Sequence, residues 1–429
     1  MKSIAHYTMA WFRMSLLLAM TGAGLRAQAE GTENEPEGVL TLDRALELAL
    51  AHSPDLAASA QGILAAEGEA RQAGVRRNPE LELEASEFGG SGERSGYDGA
   101  ETAVRVSQAL DLGGTRDKRR RLAQAGARLA AWDHEAKRLE VRARTRKAFA
   151  DLLLAQGRLA LAESLRGVAE DVQRAAAERV KAGKVPRLEE TKAGVETAAA
   201  RIGAERARRE LETARKRLAA SWGGTAPVFK EAGGDLGALA AVPSLDALLP
   251  GLETVPEVGR WKDEAEKAGD ALALAEAERL PEVTVGAGLS RFEDDGSYAG
   301  TIGLSVPLPL FNRNADGIAS DRHQAVRAGH EWRAARLRAR TELVEACGRL
   351  DAARAEAATI RDDLLPGALQ AFEGAQAGYR EGKYGHLEVL DAQRTLTEAR
   401  LRHLDVLADC HKAAADVERL TGTPLEILQ

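Results

Sequence analysis

The feature that most constrains this chain is that it is written twice. Pro54 and Pro256 stand 202 residues apart, as do Pro79 and Pro281, while Leu42 and Leu245 differ by 203. "VRVSQALDL" from Val104 is echoed by "IGLSVPLPL" from Ile302, 198 residues on. Gly183 of "ERVKAGKVPRLEE" falls 199 residues before Gly382 of "GYREGKYGHLEV". Anchors in one order at a nearly constant offset mark a tandem duplication. Both halves must therefore fold by one plan, and what a half cannot bury alone must be covered by its twin or by another copy.

The plan reads as two helices, two strands around a Gly-rich loop, a very long helix, a tight turn and a returning helix. In the first half Thr41 caps a short helix over 42–51, and Ser53-Pro54 opens a second that runs to about Gly74. The strand-like segments are "LELEASEF" and "ETAVRVSQAL" in one half, "EVTVGAGLSRF" and "GTIGLSVPL" in the other. The long helix over about 115–182 contains no proline and would extend on the order of 100 Å. Leu161, Leu165, Val168, Val172 and Ala175 step along it by 4, 3, 4 and 3, the spacing of a coiled-coil seam. Its counterpart over about 315–380 carries Pro366, which should kink it. Shorter helices return over about 188–222 and 387–420. The chain thus divides into a first repeat over 30–222, a linker or equatorial segment over 223–243 and a second repeat over 244–429.

Composition agrees with long helices packed through small residues. Aromatic residues make up 4% and charged residues 29%, and much of the apolar 44% is alanine. The first 29 residues read as an export signal, with Lys2 and Arg13 before "MSLLLAM" and a cleavage site at Ala27-Gln28-Ala29. Removing them takes three positive charges from a chain of net charge −7 and leaves −10. An acidic exported protein is a poor nucleic-acid binder. No later run approaches the ~20 apolar residues of a spanning helix, so a membrane-embedded form must be a β-barrel.

The strands alternate as barrel strands do. Leu81, Leu83 and Ala85 oppose Glu82, Glu84 and Ser86, and Ile302, Leu304, Val306 and Leu308 form another apolar row. A soluble hairpin with one buried face would read the same way. Four strands cannot close a barrel, and three copies would supply twelve. The expected fold is a mostly α protomer with a small β part, forming a trimeric α-barrel of long helices joined to a 12-stranded transmembrane β-barrel.

The duplicated strand pairs, the long helices, the Gly-containing tips and the run "NPELELEASEF…VRVSQALDLGGTRDKRRRLA" resemble the TolC-type outer membrane factors, in particular their CzcC-like heavy-metal-efflux branch. The resemblance spans the whole mature chain. It implies a homotrimer in the lipid of the outer membrane, with a long periplasmic extension. It further implies that the tips dock on a periplasmic adaptor (membrane fusion) protein coupled to an inner-membrane RND-type pump. The implied function is a passive duct of a tripartite efflux system, with heavy-metal cations as cargo. Drugs or type I secreted proteins are alternative cargoes. From another class, a soluble periplasmic coiled-coil adaptor or scaffold would share the helices.

No catalytic constellation, cofactor motif or metal-ligand spacing stands out, so the reading is a non-enzyme with no cofactor and no metal site. His403, Cys410 and His411 are the densest cluster; 403 and 410 lie two turns apart, too far to share an ion, and an idle surface is expected. In a hairpin reversing near 383, Cys347 and Cys410 miss each other by about 13 Å, and no bond between them is expected.

Glu388 and Asp391 follow the second tip on one helical face. Acids in a first helical turn are favoured by the helix dipole alone. The family resemblance instead implies that they ring the periplasmic gate, where Tyr379 would join its hydrogen-bond network. Tyr384 stands where the family has a gating arginine, with Lys383 beside it. The first tip has Glu189 and Glu190, but Lys192 at the place of Asp391, so the ring should come from the second repeat. Gly183, Gly382 and Gly385 permit tight reversals. Together with Lys184, Val185 and Lys383 they are the implied adaptor contacts.

Overall fold

The computed structural model describes residues 36–239, 243–381 and 383–425. The export segment expected at 1–29 and the tip glycine Gly382 lie outside the described residues. The chain runs β1 (Val39–Leu40), α1 (Leu42–His52), α2 (Pro54–Ala73), β2 (Glu80–Ser86), β3 (Glu101–Leu110), α3 (Thr115–Lys181) and α4 (Arg187–Ala219). It continues with β4 (Glu231–Ala232), α5 (Leu245–Leu248), α6 (Pro256–Ala277), β5 (Val283–Phe292), β6 (Tyr298–Ser305), α7 (Ala315–Thr359), α8 (Leu365–Arg380) and α9 (His386–Thr421).

The expected helices are present almost to the residue. Thr41 Oγ1 accepts from Arg44 N at 3.4 Å, capping α1. Asp111 accepts from the backbone N–H groups of Thr115 (2.9 Å) and Arg116 (2.6 Å), so a carboxylate takes up two orphan donors at the start of α3. The second long helix departs from a simple kink. Ile360–Leu364 form a π-helical turn, and Pro366 sits in the first turn of α8. The backbone stays helical through Leu364 and Leu365, so the proline sits inside a continuous helix, and the widened turn ahead of it accommodates its ring and missing N–H.

β2, β3, β5 and β6 form one antiparallel sheet in that order. Leu83 pairs with Val104, Val104 with Leu289 and Val285 with Leu304, which puts the apolar residues of all four strands on one face. That face is open: Leu83 is 72% and Ile302 92% exposed. The other face carries Glu82, Glu84 and Arg105, with Arg105 donating to Glu84 at 2.7 Å. Gly288 lies beneath Arg105; a Cβ there would stand 2.6 Å from Arg105 Cγ. Among the described residues, β2 and β6 each lack a partner on their outer edge.

Two features were not foreseen. β1 and β4 pair in parallel as a separate two-stranded sheet, too short for alternation to reveal. The segment after α4 is packed rather than loose. Phe229, Ala232 and Leu236 join a core with Phe149 and Leu152 of α3, Leu343 of α7 and Val417 of α9. This core encloses the middle of α3, so the helices are clamped at mid-length while the tips extend beyond it. The idle-surface expectation for His403, Cys410 and His411 is corrected here. Cys410 and His411 are buried, and the His411 Nε2 lies 2.9 Å from the carbonyl oxygen of Leu236. Burial pushes the Cys410 thiol up to about 11, which keeps it protonated and inert. Cys347 and Cys410 are both free.

Farther along α3, Trp132 lies against Gly259 of α6 and donates its indole N–H to Asp263 at 2.7 Å. A Cβ at position 259 would meet the indole ring at 2.6 Å. Gly259→Ala should therefore cost about 1–3 kcal/mol by displacing the ring. Thermal unfolding followed by circular dichroism checks this; an unchanged midpoint would mean that the α3–α6 contact yields freely.

Candidate functional site at the helical tips

The two long hairpins share a backbone hydrogen bond across their turns. At the first tip Gly183 has φ +67°, its N–H donates to Val180 O at 3.0 Å, and Lys184 N–H donates to Arg179 O at 2.9 Å. This is a Schellman reversal, with glycine at the left-handed position. At the second tip Lys383 N–H donates to Gly378 O at 2.8 Å, the counterpart bond 199 residues on. Pro186 and Gly385 then begin α4 and α9 in extended conformation.

The tips differ in the side chains at equivalent positions. Arg179 in the first repeat corresponds to Gly378 in the second. Gly378 is buried, and a Cβ on it would lie 2.2 Å from Tyr384 Cδ2, so the Tyr384 ring rests directly on the α8 backbone. Arg179 instead crosses between hairpins and donates to the Tyr379 hydroxyl at 2.8 Å, its guanidinium 6.0 Å from the ring centroid. The arginine in contact with Tyr379 is thus on α3, and Tyr384 fills a different place, packed within its own turn. Sequence reading missed Arg179 and Gly378. The signal was available, because the offset aligns an arginine with a glycine next to Tyr379.

Glu388 and Asp391 are both exposed on α9. A Glu388 carboxylate oxygen comes back over the helix start, 2.9 Å from where a Gly385 Cβ would be. Asp391 acts electrostatically on Arg394, which is bonded to Glu398 at 2.8 Å. On another face of the helix, Leu390, Gln393 and Thr397 line a groove of about 550 Å³ against Val168 and Val172 of α3 and Ala200 of α4. The α3 seam is therefore only partly covered within one protomer. Glu189 and Glu190 at the first tip are half-buried. Of the expected contact residues, Gly183, Lys184, Lys383 and Gly385 are exposed, and Val185 is half-buried. Lys383 pairs with Glu381 at 2.6 Å. Among the described residues no three His, Cys, Asp or Glu side chains gather as metal donors, and no helix is long and apolar enough to cross a membrane.

The arrangement is a pair of long helical hairpins, with a charged hydrogen bond from Arg179 to Tyr379 between their tips and a four-stranded sheet at the other end. The same architecture occurs in solved structures. A membrane protein from Pseudomonas aeruginosa aligns with a TM-score of 0.78 at 21% identity, over 90% of each chain. CusC, whose structures concern transmembrane channel formation, aligns with a TM-score of 0.76 at 17% identity, over 89% of this chain and 92% of its own. In sequence the chain is 35% identical over 388 residues to the cobalt-zinc-cadmium resistance protein CzcC of Cupriavidus metallidurans, covering 90% of this chain and 91% of that one. The sequence profile described as "Outer membrane efflux protein" matches residues 45–224 and 253–423. The chain belongs to the outer membrane efflux protein family, whose members are channels of the outer membrane with a long periplasmic helical extension.

Proposed function

We propose that three copies of this chain close a 12-stranded β-barrel in the outer membrane and continue into a helical tunnel in the periplasm. The tunnel passes heavy-metal cations delivered by a periplasmic adaptor and an inner-membrane RND-type pump. One observation carries this reading: a four-stranded sheet with, among the described residues, two unpartnered edges and one open apolar face. Such a sheet is unstable alone in water and complete only when its edges pair around a ring in lipid. Leu188, Val195 and Ile202 add support, since they repeat every seven residues along α4 and are all exposed, as a seam for a neighbouring helix would be.

The cargo follows from the relative's resistance to cobalt, zinc and cadmium. Glu388 and Asp391 from three chains form an acidic ring at the periplasmic mouth, with Tyr379 and Tyr384 shaping the closed tip. Such a ring favours cations by its field alone. Lys184, Val185 and Lys383, with Gly183, Gly382 and Gly385, present the turns to the adaptor.

Deleting the gene and comparing sensitivities tests the cargo. Tolerance to Co²⁺, Zn²⁺ and Cd²⁺ should fall, with antibiotic and detergent tolerance little changed. Unchanged metal tolerance beside lost drug tolerance overturns the assignment. Heat-modifiable trimers in the outer-membrane fraction check the assembly; recovery in the soluble periplasm would contradict it.

A further inference from the structure

All four connections between helices and the sheet lie at one end of the strands, over residues 74–79, 111–114, 278–282 and 306–314. These connections and the first turns of α3 and α7 (residues 74–79, 111–121, 278–282 and 306–316) hold nine Lys or Arg residues against five Asp or Glu. Some of the charges are matched, as in Arg77–Glu282 (2.8 Å) and Arg119–Glu278 (3.7 Å). Arg76, Lys118, Arg121, Arg279 and Arg313 make no ion pair among the described residues.

The same region carries apolar side chains left exposed among the described residues. Leu112 is 67% exposed, Leu308 73% and Phe311 99%. Leu112 and Leu308 keep the parity of the open apolar rows Val104–Val106 of β3 and Ile302–Leu304 of β6. They therefore prolong the apolar face of the sheet toward the helices. Between three of the connections lies a groove of about 550 Å³, lined by Arg119, Arg279 and Arg313, by Leu112, Leu280 and Leu308, and by three carboxylates. Each carboxylate is already engaged, Asp111 by the first N–H groups of α3, Glu278 by Arg119 and Glu282 by Arg77, which leaves Arg279 and Arg313 as the free charges. A concave surface with guanidinium groups beside leucines that continue an apolar face matches a phosphodiester headgroup whose acyl chains run up the strands.

We propose that this groove, with the basic belt around it, docks the headgroups of anionic phospholipids in the periplasmic leaflet. The proposal rests on the outer-membrane barrel reading, since only then do the strands stand in lipid with the belt at its inner edge. Free cations beside an apolar face hold a negatively charged headgroup more strongly than a zwitterionic one, and added salt weakens the preference. The unpaired Arg279 and Arg313 are the main headgroup contacts; Arg119, shared with Glu278, contributes less.

The test uses the full-length trimer in nanodiscs of phosphatidylglycerol, phosphatidylcholine or an equal mixture, with retained lipids counted by native mass spectrometry after detergent extraction. The wild type should retain phosphatidylglycerol in preference to phosphatidylcholine, and less of it at high salt. Arg279→Gln with Arg313→Gln should lower that retention by about tenfold. Channel conductance in planar bilayers is read on the same preparations. Because neither residue lies at the tips, the double variant should still insert and conduct; if it does not, Arg279→Lys with Arg313→Lys, which keeps the charge, should restore both insertion and the lipid preference. Equal retention of the two lipids by the wild type, or unchanged retention in a conducting glutamine variant, overturns the proposal and leaves the barrel reading intact. Failure of the wild type itself to insert overturns both.

Discussion

Glu418→Ala should lower stability by about 3–5 kcal/mol, the cost of leaving a buried guanidinium without its partner. Glu418 of α9 is 4% exposed and lies 2.9 Å from Arg146 Nε of α3, itself 9% exposed. The pair also holds the C-terminal segment. Leu425 N–H donates to Glu418, and Arg146 donates to Leu425 O at 3.2 Å. Burial pushes the Glu418 carboxyl up, against the pull of Arg146, and pushes Arg146 down. Desolvation therefore opposes both ions, and the value of the pair lies in not being broken. Arg146→Met combined with Glu418→Leu should recover most of the loss, short of about 1–3 kcal/mol for the polar groups left at Leu425. Thermal unfolding of the purified protein decides. A single variant within 1 kcal/mol of wild type would mean that water reaches Arg146.

The pH dependence has a definite sign. Glu418 titrates above its unfolded value in the folded chain, so its contribution is fully present below that unfolded value and is lost as pH rises through the folded one. Glu257, paired with Arg419 at 3.0 Å, is shifted up by burial in the same way. A protonated Glu418 still offers an acceptor oxygen to Arg146 and to the Leu425 N–H, which alanine does not. Acidification from neutrality toward the ordinary glutamate range should thus favour the fold at these two sites even though Glu418→Ala destabilises it.

The sequence exposed the fold through its duplication and its two periodicities. Thr41, Gly183 and the alternation from Leu81 to Ala85 are local signals, and each element they mark is present. Contacts between the repeats were hidden because no local pattern encodes them. Phe229 and Leu236 sit in a Gly-rich stretch that reads as linker, yet they pack on helices distant in sequence. His411 looked idle until Leu236 supplied its acceptor. The tip shows both cases. The turn itself was legible, but the arginine next to Tyr379 was sought within the same tip, where Tyr384 stands. It lies 200 residues away, on the other hairpin.

That partner leads to the second large effect: Arg179→Ala should raise the open population of the channel by roughly a hundredfold. A hydrogen bond from a charged donor contributes on the order of 1 kcal/mol at an exposed site, and the proposed trimer would hold three. About 3 kcal/mol corresponds to roughly two powers of ten in a closed-to-open equilibrium. Tyr379→Phe keeps the ring and removes the acceptor, so it should reproduce most of the shift, while any cation–π remainder separates the two variants. Single-channel recording in planar bilayers reads the open fraction directly. Glu388→Ala with Asp391→Ala is the contrasting variant. It leaves the Arg179–Tyr379 bond in place and removes the carboxylates proposed to ring the mouth, so the reversal potential in a salt gradient should move toward zero with the open fraction unaltered. Were Arg179→Ala to change selectivity and the acid pair to change opening, the roles would be exchanged. If neither changed either property, the constriction would lie elsewhere along the tunnel. The separation is expected because the two devices act on different quantities. On the proposed reading, the Arg179–Tyr379 bond between hairpins limits how far apart the tips can move. Charges on the free face of α9 act on an ion whether or not the tips have moved.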